Sequence, residues 1–295
     1  MIELDFDRRL VVKSNVLIES KYYLSVREQK FLIYLASLCS KDDLDYPYTK
    51  VRIKDIERAL KSDSKTKWGS IYEVVREIVE EINQKPIFLK KPNGSWKLIN
   101  WFSEIEADTE KGIITFELTR SIKKQLVQLG RLYTKYRLIN ILSLRGSYSI
   151  RIYELLKLNQ FRNKVTYDLG YFRELIGVSF FDKKNKEWVH KYSEYKALKR
   201  SIIKYADKEL REHTDIYFEL KEHREGRKVK SITFYVFKNT PKKKTSQIEI
   251  FTEQSSKEEV PTDKYLYTEN ILKDFYELGM DENTAKSFYI NGFSN

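Results

Sequence analysis

The chain has 295 residues, 41% hydrophobic and 14% aromatic, which suits about two domains with real cores and argues against wholesale disorder. Its net charge is +12 and unevenly spread: residues 245–295 hold four Lys and ten acidic residues, a net of −6, which leaves +18 on residues 1–244. A basic body with an acidic tail calls for a polyanionic partner, nucleic acid first, and the opening MIELDFDRRL, which has no apolar core, is not expected to act as a secretory leader.

Residues 10–18, LVVKSNVLI, form a β-branched run that reads as an edge strand or an arm. Ser25-Val26-Arg27-Glu28 is a capping box, and the helix it opens carries Phe31, Leu32, Leu35, Ala36, Leu38 and Cys39 on one broad side. Cys39 is the single cysteine, so no disulfide within the chain and no cysteine metal cage can form; it reads as a small core residue. An Asp/Tyr/Pro loop follows, then a short helix marked by Ile53, Ile56 and Leu60. A third helix over 68–83 keeps Ile71, Val74, Val75, Ile78, Val79 and Ile82 in register and stops before Pro86. Strands are expected at 87–91, 95–102 and 113–118, with Asn93-Gly94 and Lys111-Gly112 as turns needing φ > 0. Three helices and then a β-hairpin is the order of a winged helix-turn-helix.

The middle of the chain, YTKYRLINILSLRGSYSIRIYELLKLNQF over 133–161, breaks at Leu144-Arg145-Gly146-Ser147 and resumes as a helix. Ser147 or Ser149 is placed to cap it, Ile150, Tyr153, Glu154 and Lys157 recur at helical spacing, and the segment reads as a hinge between two halves. The second half repeats the plan: helices at about 147–161, 169–178 and 193–213, then strands at 215–223 and 228–238 joined by Arg224-Glu225-Gly226-Arg227. The expected class is therefore α+β: two tandem winged-helix domains over 1–130 and 131–240, a flexible polar linker over 241–263, and an acidic helical hairpin over 264–295. That tail either folds back on the body or docks a partner protein.

DNA reading would fall to the third helices, which enter the major groove in this motif. In 193–213 the apolar set Tyr195, Leu198, Ile202, Tyr205, Ala206 and Leu210 faces inward. Lys196, Arg200, Lys204 and Lys208 fall opposite, with Lys199 at the border. A solvated face is the plainer reading of any charge stripe, but the acids that usually balance one are sparse here until Asp207. The 68–83 helix is a weaker reader, because Glu73, Glu77, Glu80 and Glu81 would repel phosphate; Lys65, Lys67, Ser70 and Arg76 are its candidates. Arg224, Arg227 and Lys228 would form a wing on the DNA backbone.

These blocks resemble the Rep_3 family of plasmid replication initiators, which carry two tandem winged helices. The likeness runs over 11–238, on VVKSNVLIESKYYLSVREQKFLIYL, on YTKYRLINILSLRGSYSIRIYELLK and on YKALKRSIIKYADKELREHTDIYFELKEHREGRKVKSITFYV. The central block is the most specific; the family's Leu-Lys-Ser-Lys-Tyr-Ser is here Leu144-Arg145-Gly146-Ser147-Tyr148-Ser149, and the glycine implies a looser hinge. The resemblance implies binding to double-stranded origin DNA at direct repeats (iterons) and opening of an adjacent A+T-rich region. It also implies recruitment of host replication proteins such as the initiator ATPase and helicase, a homodimer in equilibrium with monomer, autorepression and a cytoplasmic location. The alternative on the same fold is a transcriptional repressor or a partitioning adaptor. No enzyme activity, cofactor, metal or membrane association is expected: His190, His213 and His223 make no His-x-His pair, and there is no Walker-type loop.

Overall fold

A computed structural model describes residues 6, 8–39, 48–60, 70–90, 95–126, 133–182 and 187–240. The linker and tail expected over 241–295 lie outside the described residues, as do Lys65, Lys67 and the Asn93-Gly94 turn. Residues 89–97 belong to a unit apart from the two winged helices, which share one compact unit.

The first winged helix is built as its sequence dictates. Helix α2 (Val26–Ala36) starts at the capping box: Ser25 Oγ accepts from Glu28 N–H at 3.4 Å, and the Glu28 carboxylate accepts from Ser25 N–H at 2.8 Å. The same buried carboxylate takes Lys85 Nζ at 2.6 Å, which ties α2 to the far end of α4 (Ile71–Asn83). Helix α3 (Ile53–Leu60) follows strand β2 (Tyr48–Arg52), and β5 (Phe102–Asp108) and β6 (Ile113–Leu118) form the wing. Phe31, Phe102 and Phe116 meet at centroid distances of 5.4–6.3 Å, and each such aromatic pair adds about 1 kcal/mol beyond its buried area.

The second repeats that plan. Helix α7 (Ser147–Leu158) is followed by strand β8 (Lys164–Asp168) and helix α8 (Leu169–Leu175). The third helix spans 195–213 as α9 (Tyr195–Leu198), a π turn (Lys199–Ile203) and α10 (Lys204–His213). Strands β11 (Ile216–Glu225) and β12 (Lys228–Lys238) close it. The two sheets have equivalent orders, β2-β6-β5 and β8-β12-β11, each with the short early strand on the last one. Tyr167, Phe172, Phe218 and Phe234 form its aromatic core, with centroids 5.1–6.3 Å apart.

Several elements differ from the sequence reading. The run at 10–18 is strand β1 (Leu10–Ser14) and then helix α1 (Asn15–Glu19), because Ser14 Oγ accepts from Leu17 N–H at 3.1 Å and caps a helical turn. Strands β2 and β8 were not expected; each is five residues long and rich in charge, with too few apolar positions to stand out. The strand expected at 87–91 is β3 (Ile87–Lys90), and that at 95–102 is split between β4 (Trp96–Ile99) and β5, with helices α5 (Arg120–Leu126) and α6 (Leu138–Leu142) additions after β6. A hairpin of β9 (Ser179–Asp182) and β10 (Glu187–His190) enters between α8 and the third helix. Cys39 is half-buried at a helix end rather than in the core.

The two winged helices are joined at the centre. Strand β1 pairs antiparallel with β7 (Tyr133–Arg137), Leu10 opposite Arg137 and Ser14 opposite Tyr133, across the division expected at residue 130. Behind this ladder, α7 is buried on all sides, Arg151 and Glu154 included. Arg151 Nη2 donates to the carbonyls of Ile18 at 2.7 Å, Ser20 at 3.0 Å and Leu175 at 3.1 Å. The guanidinium thus covers the free carbonyl ends of α1 and α8 together. Its Nη1 donates to Tyr22 Oη at 2.7 Å and to Glu154 at 3.2 Å, while Lys13 Nζ reaches Glu154 at 2.8 Å and Tyr136 Oη donates to it. Burial alone would push the Glu154 carboxyl up; the Lys13 and Arg151 cations outweigh it and hold the group below the ordinary glutamate range.

Candidate nucleic-acid interface

The third helix of the second winged helix presents the basic face. Leu198, Ile202, Ile203, Ala206 and Leu210 are buried, and Lys196, Arg200, Lys204 and Lys208 are exposed. None of those four cations makes an ion pair among the described residues. Four unneutralised charges on one helix face form the arrangement that displaces counterions from a nucleic-acid backbone.

The face is shifted from simple helical counting by the π turn. A π turn holds one residue more than an α turn, so consecutive residues, Ile202 and Ile203, both enter the core. Tyr205, expected inward, lies 45% exposed as a result. Neither residue type nor spacing announces such a turn, and this is the main way the helix departs from its sequence pattern.

Lys199 is on the border as expected, but it is engaged: its Nζ reaches Glu222 of β11 at 2.6 Å. Tyr195 Oη donates to the same carboxylate at 3.0 Å, and Arg224 Nη2 at 2.6 Å. The Lys199 ammonium, with Arg224 and Tyr195, holds Glu222 down at about 2, well below the ordinary glutamate range. Glu222 therefore fastens the first half of the helix to the wing, with Lys199 and Arg224 both paired to it. The sequence reading missed this residue, because two of its partners, Tyr195 and Lys199, lie on the third helix 27 and 23 positions away.

At the wing tip Gly226 takes φ +59°, as the turn requires, and Arg227 and Lys228 stand exposed beside it without an ion pair among the described residues. A register shift between His223 and Arg224 twists the strand end. Arg211 is withdrawn from the basic face: it pairs with Asp207 at 2.8 Å and lies 4.4 Å over the Tyr217 ring.

The first winged helix offers much less. Ser70 is the exposed N-cap residue of α4 and makes no side-chain cap bond there. Arg76 is exposed and faces Glu80 at 3.7 Å, with Glu73, Glu77 and Glu81 exposed on the same helix. That is a mostly acidic face, as the sequence indicated.

Gly146 and Ser149 behave otherwise than expected. Gly146 is itself the N-cap residue of α7, and neither Ser147 nor Ser149 caps it; Ser149 Oγ is buried without a hydrogen-bond partner among the described residues. The free N–H groups of Arg145 and Gly146 go instead to Glu209 of α10, at 2.7 and 3.0 Å. The glycine is held rather than loose. The histidines lie in separate elements with separate neighbours: Ser179 on the facing strand at 3.0 Å from His190, Thr233 on the facing strand at 2.7 Å from His223, and Glu212, next in the chain, at 3.7 Å from His213.

Comparison with known proteins places this architecture. The initiator replication protein family matches twice, its WH1 domain over residues 10–157 and its WH2 domain over residues 172–236. The chain belongs to this family. The WH1 match runs on through α7, the helix on which both winged helices are mounted. A crystal structure of Pi initiator protein in complex with iteron DNA aligns with a TM-score of 0.57 at 20% identity, covering 79% of this chain and 98% of that one. Domains 2 and 3 of RctB align with a TM-score of 0.40 at 12% identity, covering 80% of this chain and 89% of that one. An uncharacterized 27.6 kDa protein of Escherichia coli is 26% identical over 159 residues, which span 50% of this chain and 65% of that protein's length. Family membership identifies both winged helices as those of a replication initiator, and the first, with its acidic α4, is matched over the greater length.

Proposed function

We propose that this protein initiates plasmid replication by binding tandem direct repeats in double-stranded origin DNA, with the 195–213 helix in the major groove as the main reader. The observation that carries this is the stripe of Lys196, Arg200, Lys204 and Lys208, exposed and without ion pairs among the described residues. Arg227 and Lys228 lie on the backbone from the wing, and Lys199 and Arg224 support them through Glu222. The first domain, residues 1–130, makes the secondary DNA contact from Ser70, Arg76, Lys65 and Lys67, and its acidic face serves contact with a second copy. Residues 131–240 form the reading domain, and the 241–295 segment stands outside both. Once bound, the protein opens the adjacent A+T-rich duplex and recruits host replication proteins, and monomer and dimer exchange. The chemistry is binding and deformation of DNA, with no catalytic step and no cofactor.

The test is a footprint on the plasmid that encodes the protein. Protection of several regularly spaced direct repeats supports the proposal; protection of a single inverted repeat beside a promoter overturns it in favour of a repressor.

A further inference from the structure

Glu209 projects from the DNA-facing helix into the interior and is 5% exposed. A buried carboxylate without a cation is expensive, and among the described residues no ion pair neutralises this one. Its oxygens are satisfied by Arg145 N–H at 2.7 Å, Gly146 N–H at 3.0 Å and Tyr205 Oη at 3.4 Å. Two of these donors precede the first turn of α7, where the positive end of the helix dipole also favours an anion. A neutral side chain would fill the same space without the desolvation cost, so the carboxylate's distinctive contribution is to hold one helix against the start of another.

The loop it grips is itself fixed from the other side. Lys30 Nζ on α2 donates to Leu142 O at 2.6 Å, and Gln29 Nε2 donates to Ser147 O at 3.2 Å. Residues 142–147 are therefore clamped between the first winged helix and the reading helix of the second. Gly146 makes the close approach feasible. A Cβ there would sit 2.7 Å from Ser149 Oγ, 2.9 Å from Tyr205 Cε1 and 3.0 Å from Glu209 Oε2. Two of those three contacts are the side-chain ends of Tyr205 and Glu209 on the reading helix, so a methyl at 146 would displace them and disturb the seat of the carboxylate.

We propose that Glu209, seated on the backbone of Arg145 and Gly146, is a positioning residue for DNA recognition, fixing the angle at which the 195–213 helix is presented. This rests on the reading of that helix as the DNA contact. Without the lock the helix samples several orientations, and apparent affinity for a specific site falls by the fraction that remains competent. Non-specific binding, which follows the number of cations and not their angle, is spared.

The sign of the effect separates positioning from simple electrostatics. Glu209→Gln removes a negative charge from a DNA-binding helix, which by charge alone strengthens binding. Positioning predicts the reverse: about a tenfold weaker Kd for a specific duplex if only about a tenth of molecules stay competent. Gly146→Ala, which changes no charge, should weaken specific binding in the same way, and the double variant should lose little more. Glu212→Gln, an exposed acid on the same helix, is the control and should bind as tightly as wild type or tighter.

The full chain would be titrated with a duplex that wild-type protein selects from a random pool, and with a random-sequence duplex of equal length. Amide exchange at Arg145 and Gly146 would be followed alongside. Selective loss on the chosen duplex, unchanged random-duplex binding and faster exchange at those amides are expected. Equal loss on both duplexes, tighter binding by Glu209→Gln, or wild-type binding by Gly146→Ala would overturn the inference. If wild type selects no duplex, the DNA-reading proposal itself fails, before any variant is compared.

Discussion

Arg151 illustrates how much of this molecule is decided by single charged groups placed where no water reaches. Its guanidinium is 2% exposed, yet its donors meet the carbonyls of Ile18, Ser20 and Leu175, the Tyr22 hydroxyl and the Glu154 carboxylate. Lysine cannot reproduce that fork, being a single point of charge on a flexible stem. Arg151→Met and Arg151→Lys should both destabilise the fold, the first by about 3–5 kcal/mol, because it strands buried carbonyls and weakens the compensation of Glu154. Equilibrium denaturation by urea measures this. A loss under about 1 kcal/mol would mean that the cluster is dispensable. The sequence showed these residues only as Arg and Glu three apart on a helix, which usually signals a solvated pair. Their partners Lys13, Ile18, Ser20 and Tyr22 lie more than a hundred positions away, and no local pattern joins them.

At the scale of elements, the wing and the 195–213 helix are one assembly because of Glu222. Its folded-state pKa is depressed to about 2, chiefly by the hydrogen bond from Lys199. The tie is therefore complete above the ordinary glutamate value of 4.5 and weakens as pH falls from there through about 2. The wild-type protein should lose stability along that acid limb, and Glu222→Gln should flatten it, as thermal melts between those pH values would show. An unchanged limb in the variant would place the acid sensitivity elsewhere. Lys199→Ala should also loosen the wing without removing any charge from the exposed stripe. Most helices were legible here because each carries an apolar face at regular spacing, and the Ser25 capping box marked its helix start to the residue. The π turn was not, since its widened geometry depends on tertiary contact rather than on residue type. Strands β2 and β8 were missed because they gain their order from pairing with β6 and β12, far along the chain. The basic stripe was legible as a pattern; that Lys199 and Arg224 are engaged in support was not, because Glu222 gave no local sign of its role.

For the whole molecule, charge and topology divide the work. Two winged helices of one plan carry opposite faces: α4 of the first is acidic on its exposed side, and the third helix of the second is basic. A common ladder, β1 with β7, and one buried helix, α7, mount them together. On the proposed assignment, the second winged helix supplies most phosphate contacts. Removing Lys196 and Arg200 together should thus lower the magnitude of the log Kobs against log[salt] slope by about 2. Arg76→Ala should change it by less than about 1. The most direct measurement is that salt dependence on the protein's own origin DNA, read beside a footprint, for wild type and Lys196→Ala/Arg200→Ala. Loss of protection over spaced direct repeats, together with the shallower slope, is the predicted result. A double variant that protects the same DNA with the same slope would contradict the assignment and move DNA reading to the first domain.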